Sequence, residues 1–545
     1  MRTPFGTPTE LATGVRLLIE SGVVAPIRPD RVVRFPVALY RYGFTPTTAF
    51  VIGAWRHPNR LAIVDDRGTL TFRELHERTD RLARALADRG VGPGSRVAVL
   101  CRNHRGPIET IVACSKIGAD VVLMNTGLSA GQMKAVAEEQ ELTSIVVDSD
   151  LADRLSEVDA KVTRIGAWQD EGSGCWGDDT LEGLIEADGS KDLPTKPPIG
   201  KTIVLTSGTT GTPKGAERPS PNGIGPVNAI LSRIPLTARE PALVSAPLFH
   251  TWGFAAFQIG SLMGSTLILR RKFDPEDALR QLAIHRCTSM FAVPVMLQRI
   301  LDLDPDVLAR YDTSALRTVT ATGSAMPPAK VSQFLETFGD KLYMLYGSTE
   351  VSWASIAKPE ELRDEPSTAG RPPEGTVVKI LGDDDEELPA GETGRIFVGN
   401  DMLFTGYTGG RGETEVVDGM LGTGDLGHYD DKGLLFISGR ADDMIVSGGE
   451  NIHAGEVEGL LADMDGVKEA AVVGVDDEEY GQRLAAYLVL ENGANLDADA
   501  VRDHVKNHLA SFASPRDVEF LDELPRNQTG KVVKSELGQE EEADA

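Results

Sequence analysis

Cysteine is scarce in this chain: four in 545 residues, Cys101, Cys114, Cys175 and Cys287. None forms a C-x-x-C pair, and no histidine pair stands beside them. That spacing excludes a disulfide framework or a zinc site and predicts reduced thiols in a cytoplasmic protein. Positive charge is also short, with 55 Lys and Arg against 82 Asp and Glu, a net charge of −27. So negative a chain is a poor general partner for nucleic acid or an anionic membrane. Any polyanionic ligand must therefore be held by a local cluster of donors. Long apolar runs are rare as well. Ala242 to Leu269 lacks Asp, Glu, Lys and Arg, but Pro247, His250, Gln258 and several Gly and Ser interrupt it. It reads as a buried strand, a loop, a helix and a second strand, not a membrane span. Near the start, Arg16 and Glu20 break the only apolar stretch, so no signal peptide is expected. No repeat of fixed period is present.

What is there suits a large soluble protein of more than one domain, with 41% apolar and 25% charged residues. Residues 1–50 reverse the overall balance, with six arginines against three acids. They read as a solvated cap packed on the main domain, with a membrane-surface or partner contact as the alternative. Thr71-Phe-Arg-Glu74 is a capping box, and Leu75, Leu82, Ala85 and Leu86 follow at helical spacing up to Gly90. Strands are predicted at Arg96–Leu100, Asp120–Met124, Glu141–Asp148, Lys201–Leu205 and Leu316–Ala321. Helices are predicted around 108–118, Ala278–Ile284 and Pro294–Leu301. This alternation implies a layered α/β fold with largely parallel sheet. After Glu374 shorter strands and acidic turns predict a smaller sheet, with Gly382–Glu387 as a solvated hairpin tip. The last hundred residues form an α+β pattern, with helices at Ala454–Met464 and Ala498–Ala510 and strands at Glu469–Val475 and Ala485–Leu490. An acidic, disordered tail is expected from Gln539.

The most informative stretch is Leu205-Thr-Ser-Gly-Thr-Thr-Gly-Thr-Pro-Lys-Gly215. Gly208, Gly211 and Gly215 allow tight turns that present backbone N–H groups. Thr206, Ser207, Thr209 and Thr210 add hydroxyls, and Lys214 adds positive charge. Such a loop is suited to cradling phosphates. The G-x-x-x-x-G-K-[ST] spacing of ATPases fails, because Pro213 precedes and Gly215 follows Lys214. Further segments share this texture: Gly323-Ser324-Ala325-Met-Pro327, Tyr346-Gly347-Ser-Thr349-Glu350, Thr423-Gly-Asp425, Gly439-Arg440-Ala-Asp442-Asp443 with Ser447-Gly448-Gly449-Glu450, and Pro525–Lys531. Tyr346 could stack on a purine, Asp425 accept from ribose hydroxyls, Thr349 donate to an α-phosphate and Glu350 help hold Mg²⁺. Singly, each has a structural reading of equal weight: core aromatic for Tyr346, turn residue for Asp425, helix cap for Glu350.

Together, in type, order and spacing over roughly residues 50–535, these motifs resemble the acyl-CoA synthetase branch of the ANL adenylate-forming enzymes. The resemblance implies that a carboxylate attacks the α-phosphorus of ATP to give acyl-AMP and pyrophosphate. A CoA thiol then takes the acyl group and AMP leaves. It implies that residues 206–215 clamp the β- and γ-phosphates, with Thr206 and Glu350 toward Mg²⁺. Gly323, Ser324, Ala325, Tyr346, Gly347, Thr349, Asp425 and Arg440 would hold the nucleotide. Lys531, from the C-terminal part, would bridge carboxylate and α-phosphate by charge and position. Asp442 would be the hinge of a mobile lid, and Ser447, Gly448, Gly449 and Glu450 would face the site for thioester formation.

His250, in Pro247-Leu-Phe-His250, would line the carboxylate end of the acyl pocket or stand as a hydrogen-bonded core histidine. Trp252, Gly253 and Phe254 would add apolar lining, favouring a medium- or long-chain fatty acid. The implied architecture is a cap (1–50), a large N-terminal domain of α/β layers with a small sheet subdomain (51–439), an α+β lid (440–538) and a tail (539–545). ATP, Mg²⁺ and coenzyme A are the implied cofactors. The chain is expected as monomer or homodimer, without nucleic acid, and with peripheral membrane contact as an open alternative. Competing readings are an acyl-AMP ligase that loads a separate carrier protein, luciferase-type oxidation, and a non-catalytic acyl or nucleotide sensor.

Overall fold

The computed structural model describes residues 8–24, 34–170, 177, 179–206, 214–219, 223–408, 414–441, 444–447, 450–477, 481–509, 513–527 and 530–537. Cys175 and the tail lie outside them, as does most of the phosphate-cradle loop.

Two large sheets carry the architecture. One has eight strands, in the order Ser355–Ala357, Leu342–Tyr346, Thr318–Thr322, Ser289–Ala292, Pro241–Val244, Thr266–Leu269, Leu61–Asp65 and Gly68–Thr71. Its interior pairings are parallel and its two edge pairings antiparallel. The other has seven strands, ordered Asp179–Thr180, Thr163–Gly166, Ser144–Val147, Arg96–Leu100, Asp120–Leu123, Thr202–Thr206 and Lys214–Arg218. All its pairings are parallel except the last, Thr202–Thr206 with Lys214–Arg218. Strands covered on both faces read as unbroken apolar runs, which is why Ser144–Val147 and Ser289–Ala292 are buried at every position.

Helices fill the space between these sheets, and Phe72, Leu82, Ile108, Val204, Phe257 and Phe291 belong to one buried cluster there. Each such side chain contributes roughly 1.5–3 kcal/mol by leaving water. The helix Phe72–Asp88 starts where the capping box predicts it. Thr71 Oγ1 accepts from Glu74 N at 3.2 Å, and Glu74 Oε2 accepts from Thr71 N at 2.7 Å. The charge-free segment resolves as strand Pro241–Val244, helix Thr251–Met263 and strand Thr266–Leu269. No helix among the described residues is long and apolar enough to cross a membrane.

Two five-stranded sheets follow. The third contains Val377–Leu381, Gly394–Gly399, Val416–Val417, Met420–Tyr429 and Leu435–Arg440. The acidic run sits between its first two strands, with Leu381 bridged to Glu387. The fourth contains Met444–Ser447, Glu450–His453, Val467–Asp477, Gly481–Leu490 and Asp517–Phe520. The helices Ala454–Ala462 and Ala498–His508 pack on it through Val457, Leu461, Val501 and Val505. The chain passes from the third sheet to the fourth between Arg440 and Met444.

The described cysteines, Cys101, Cys114 and Cys287, are free and buried. Burial pushes the Cys114 and Cys287 thiols up to about 12, so both stay protonated. Sequence spacing did not reveal that Cys101, His104 and Asp148 lie together, with potential ligand atoms within 4.8 Å of one another. Their atoms are already committed. His104 Nδ1 accepts from Gly106 N at 3.0 Å, capping the helix Arg105–Ile117. The other ring nitrogen must then carry the proton, which it gives to Asp148 Oδ1 at 2.8 Å. Cys101 Sγ donates to Val146 O at 3.5 Å. The cluster stabilises a helix start.

Candidate functional site

Parallel α/β sheets gather ligands at the carboxyl ends of their strands. Three motif segments begin at such ends. Thr206 ends one strand and pairs across the hairpin with Lys214, the first residue of the next. The cradle is therefore narrower than its sequence suggested, because Lys214 and Gly215 belong to a strand. Ser207, Gly208, Thr209, Thr210 and Gly211 lie outside the described residues. Gly323 follows the strand Thr318–Thr322 at φ +106°, and Ser324 and Ala325 continue that loop. Tyr346 ends the strand Leu342–Tyr346. At Gly347 a Cβ would stand 2.6 Å from Ser352 O and 2.7 Å from Trp353 Cα, so the turn there admits only glycine.

The nucleotide-binding candidates form one connected cluster. The Tyr346 hydroxyl donates to Asp425 Oδ2 at 2.5 Å. Asp425 and Arg440 are register partners on neighbouring strands, with Arg440 Nη1 3.4 Å from Asp425 Oδ1 and 3.2 Å from Thr423 O. Burial, then the Asp425 charge, holds the Tyr346 phenol well above its ordinary value, so it stays a donor. Burial also raises the Asp425 carboxyl, against the Tyr346 hydrogen bond and the charges of Arg440 and Lys531. The Lys531 charge is thus felt at Asp425, although more than a hundred residues separate the two. Lys531 is exposed, and its backbone N–H donates to Asn527 Oδ1 at 3.0 Å. A Cβ on Gly530 would lie 2.2 Å from Val295 Cγ1, so this turn packs directly against the helix Pro294–Leu301.

Sequence reasoning missed two residues at the centre. Thr251 Oγ1 lies 3.0 Å from Thr349 Oγ1, joining the helix start beside His250 to the Tyr346–Glu350 turn. Tyr407 donates its hydroxyl to Glu350 Oε1 at 2.8 Å, and Lys214 Nζ lies 5.7 Å from its ring centroid. Tyr407 thus connects the phosphate hairpin to Glu350 from a loop with no motif of its own. Only the Phe404-Thr-Gly-Tyr407 aromatics hinted at it. Among the described residues Glu350 Oε2 carries no hydrogen bond. A carboxylate oxygen left open beside hydroxyls is a hard donor set that fits Mg²⁺.

His250 precedes the helix Thr251–Met263 without capping it through its side chain. Burial holds its ring down at about 4, so it is neutral at physiological pH. Its Nδ1 is closed from water and carries no hydrogen bond among the described residues, and the same holds for Trp252 Nε1. A Cβ on Gly323 would lie 3.9 Å from His250 Cε1 and 4.0 Å from Val293 Cγ1, so the Gly323 loop faces this histidine. Of the three expected lining residues, Trp252 stands against Phe291 of the eight-stranded sheet, with ring centroids 5.6 Å apart. Gly253 is instead a packing residue: a Cβ there would lie 2.0 Å from Pro247 O. Phe254 lines a cavity together with Phe44 and Gln258. Helical geometry separates them, since residues two apart project to opposite sides. Ser447 and Glu450 are register partners on neighbouring antiparallel strands. Gly448, Gly449 and the expected hinge Asp442 lie outside the described residues.

Comparison with known proteins agrees with this arrangement. The AMP-binding enzyme family matches residues 52–408, and the AMP-binding enzyme C-terminal domain matches residues 456–531. A feruloyl-CoA synthase from Amycolatopsis sp is 32% identical over 501 residues, covering 89% of this chain and 98% of that protein. An indoleacetate–CoA ligase from Aromatoleum aromaticum is 32% identical, covering 88% and 95%. The solved o-succinylbenzoate CoA synthetase from Bacillus subtilis, in complex with its acyl-adenylate intermediate, superposes with a TM-score of 0.76 at 27% identity, covering 90% and 98%. The chain belongs to the AMP-binding enzymes, the ANL adenylate-forming superfamily. Within it the chain is an acyl-CoA synthetase, an AMP-forming acid–thiol ligase.

Proposed function

We propose that this ligase activates a ring-bearing carboxylic acid. The acid's carboxylate attacks the α-phosphorus of ATP, pyrophosphate leaves, and the acyl group of the resulting acyl-AMP passes to the CoA thiol with release of AMP. The observation that carries the adenylation roles is the reach of Lys531 to the Tyr346–Asp425–Arg440 cluster, with Gly530 seated on Val295. In this reading the lysine comes to the reacting groups and offsets the repulsion between two anions; its work is positional and electrostatic. Lys214 and the 206–215 hairpin hold the leaving pyrophosphate. Thr349 donates to the α-phosphate, and Asp425 takes the ribose hydroxyls beside Arg440. Glu350 and Thr206 would hold Mg²⁺, which neutralises phosphate charge when bound. Asp442 then serves as the pivot that brings Ser447–Glu450 to the site for thioester formation.

Lys531→Ala should reduce acid-dependent pyrophosphate exchange by about a thousandfold or more, the scale of losing a central electrostatic group. Thioester formation from supplied acyl-AMP should be largely spared. Exchange that survives the substitution would remove Lys531 from adenylation.

The ring-bearing substrate rests on Trp252 and Phe291 beside His250, and on the aromatic acids named for the relatives. A flat acid carrying a hydrogen-bond acceptor would satisfy the buried Trp252 Nε1–H. A medium- or long-chain fatty acid is the second reading, favoured by the apolar ring faces of Trp252 and Phe291. AMP release across a panel of aromatic and graded aliphatic acids separates the two.

A further inference from the structure

A region far from the nucleotide cluster breaks the charge and hydropathy rules that the rest of the surface follows. Between Asp30 and Asp65 the sequence contains no acid, but it contains Arg31, Arg34, Arg41, Arg56 and Arg60, in a chain of net charge −27. Of the fifteen large apolar side chains exposed among the described residues, seven lie within the first 44 positions: Val15, Ile19, Val24, Phe35, Val37, Tyr40 and Phe44. Both departures coincide at the helix Arg34–Tyr42.

Its first turn is exposed at Phe35, Pro36 and Val37 in succession, and Tyr40 follows at 64% exposure. The apolar surface therefore wraps around the helix tip. A single stripe would suit a groove on a partner protein; a wrapped apolar tip suits insertion among lipid chains. The tip is held firmly. Ala38 and Tyr42 are buried, and Arg41 Nε donates to Thr195 O at 3.0 Å. Beside it Lys196 places its ammonium 4.5 Å from the Tyr40 ring centroid, and Ile199, 52% exposed, abuts Gly43. Aromatic and aliphatic side chains surrounded by cations are the composition of an interfacial anchor.

The geometry points to this surface, Phe35, Val37, Tyr40 and Ile199 with Arg41 and Lys196, as a docking site for an anionic lipid bilayer. The strongly negative remainder of the chain would be repelled by the same bilayer, which orients the protein with this tip inward. Reversible binding is the expected mode, since neither a few apolar residues nor a small basic patch suffices alone. The reading is independent of which acid the enzyme activates.

The full-length protein would be sedimented with vesicles of phosphatidylcholine alone and of phosphatidylcholine mixed with phosphatidylglycerol. Binding is expected to the mixed vesicles, to be lost at high salt, and to fall by about fivefold in Lys196→Gln, the worth of one basic group near a charged leaflet. Val37→Ser with Tyr40→Ser should abolish it. All variants should keep the parent melting temperature and the parent rate on a water-soluble acid. Equal binding to both vesicle types, no binding, or binding indifferent to these substitutions would overturn the proposal. So would a dimer in light scattering that the Val37→Ser, Tyr40→Ser variant converts to monomer, since the surface would then belong to a second copy.

Discussion

His104 and His250 occupy the same place in two different sheets. Each follows a parallel strand, has extended backbone and precedes the first residue of a helix. His104 uses its ring to cap that helix and to hold Asp148, and both of its nitrogens are satisfied. His250 does neither, and its Nδ1 is shut away from water without a partner. An interior normally leaves few polar atoms unpaired, because each costs about 1–3 kcal/mol. The difference separates a histidine spent on the fold from one that the fold leaves without a partner among the described residues. Neighbours agree: His104 packs on Trp168, itself flanked by Arg67 and Arg271, whereas His250 faces the Gly323 loop and precedes Thr251, the partner of Thr349.

The comparison can be broken most directly by exchanging the two losses. His250→Ala should lower acid-dependent pyrophosphate exchange by roughly a hundredfold, the usual worth of a positioning or proton-handling group. It should shift the unfolding free energy by less than about 1 kcal/mol, because no hydrogen bond is lost. His104→Ala should do the reverse, costing about 3 kcal/mol for a lost cap and an abandoned buried carboxylate. Urea unfolding and exchange assays on both variants decide it, and a stability loss confined to His250→Ala would reverse the assignment.

Acidification sharpens the same contrast. His250 in the folded chain titrates at about 4, below the ordinary value of 6.5. Between those values the unfolded chain binds a proton that the folded chain refuses, so stability falls as pH drops from 6.5 to 4. His76, held at about 4 by burial and by the Lys116 charge, has the same sign. The measurement is therefore a difference curve: His250→Gln should lose less stability than the parent across that window and match its slope above it. The smallest effect is expected at Thr251→Val, which removes one hydroxyl contact with Thr349. A several-fold rise in the KM for ATP, with little change in melting temperature, would confirm that the His250 helix start and the Tyr346–Glu350 turn act together.

Much of the scaffold was legible from local pattern. Arg96–Leu100 and Pro294–Leu301 fall where apolar runs and proline place them, and the Thr71–Glu74 box begins its helix. Motif residues could be named because their chemistry is written in consecutive positions: Tyr346 with Thr349 and Glu350, Thr423 with Asp425. Tyr407 and Thr251 escaped because neither carries a motif; each matters only through a partner 57 or 98 positions away. Gly253, set against the Pro247 carbonyl, and Phe254, set beside Phe44 and Gln258, show a related limit. Apolar character says that a side chain is buried, but the rotation of the helix decides against what.

The sequence by itself determined which groups this protein can use: the hydroxyl-rich hairpin, the Tyr346–Glu350 turn, Asp425, Arg440 and Lys531. Periodicity and caps, which act over a few residues, also determined most of the strands and helices. Tertiary structure alone decided which of two histidines at equivalent helix starts is spent on the fold. It also decided that the Lys531 charge is felt at Asp425 and that Tyr407 joins Lys214 to Glu350. The physical reason is one of range: propensity and capping are local, whereas charge, hydrogen bonding and burial depend on distances that only the packed chain sets.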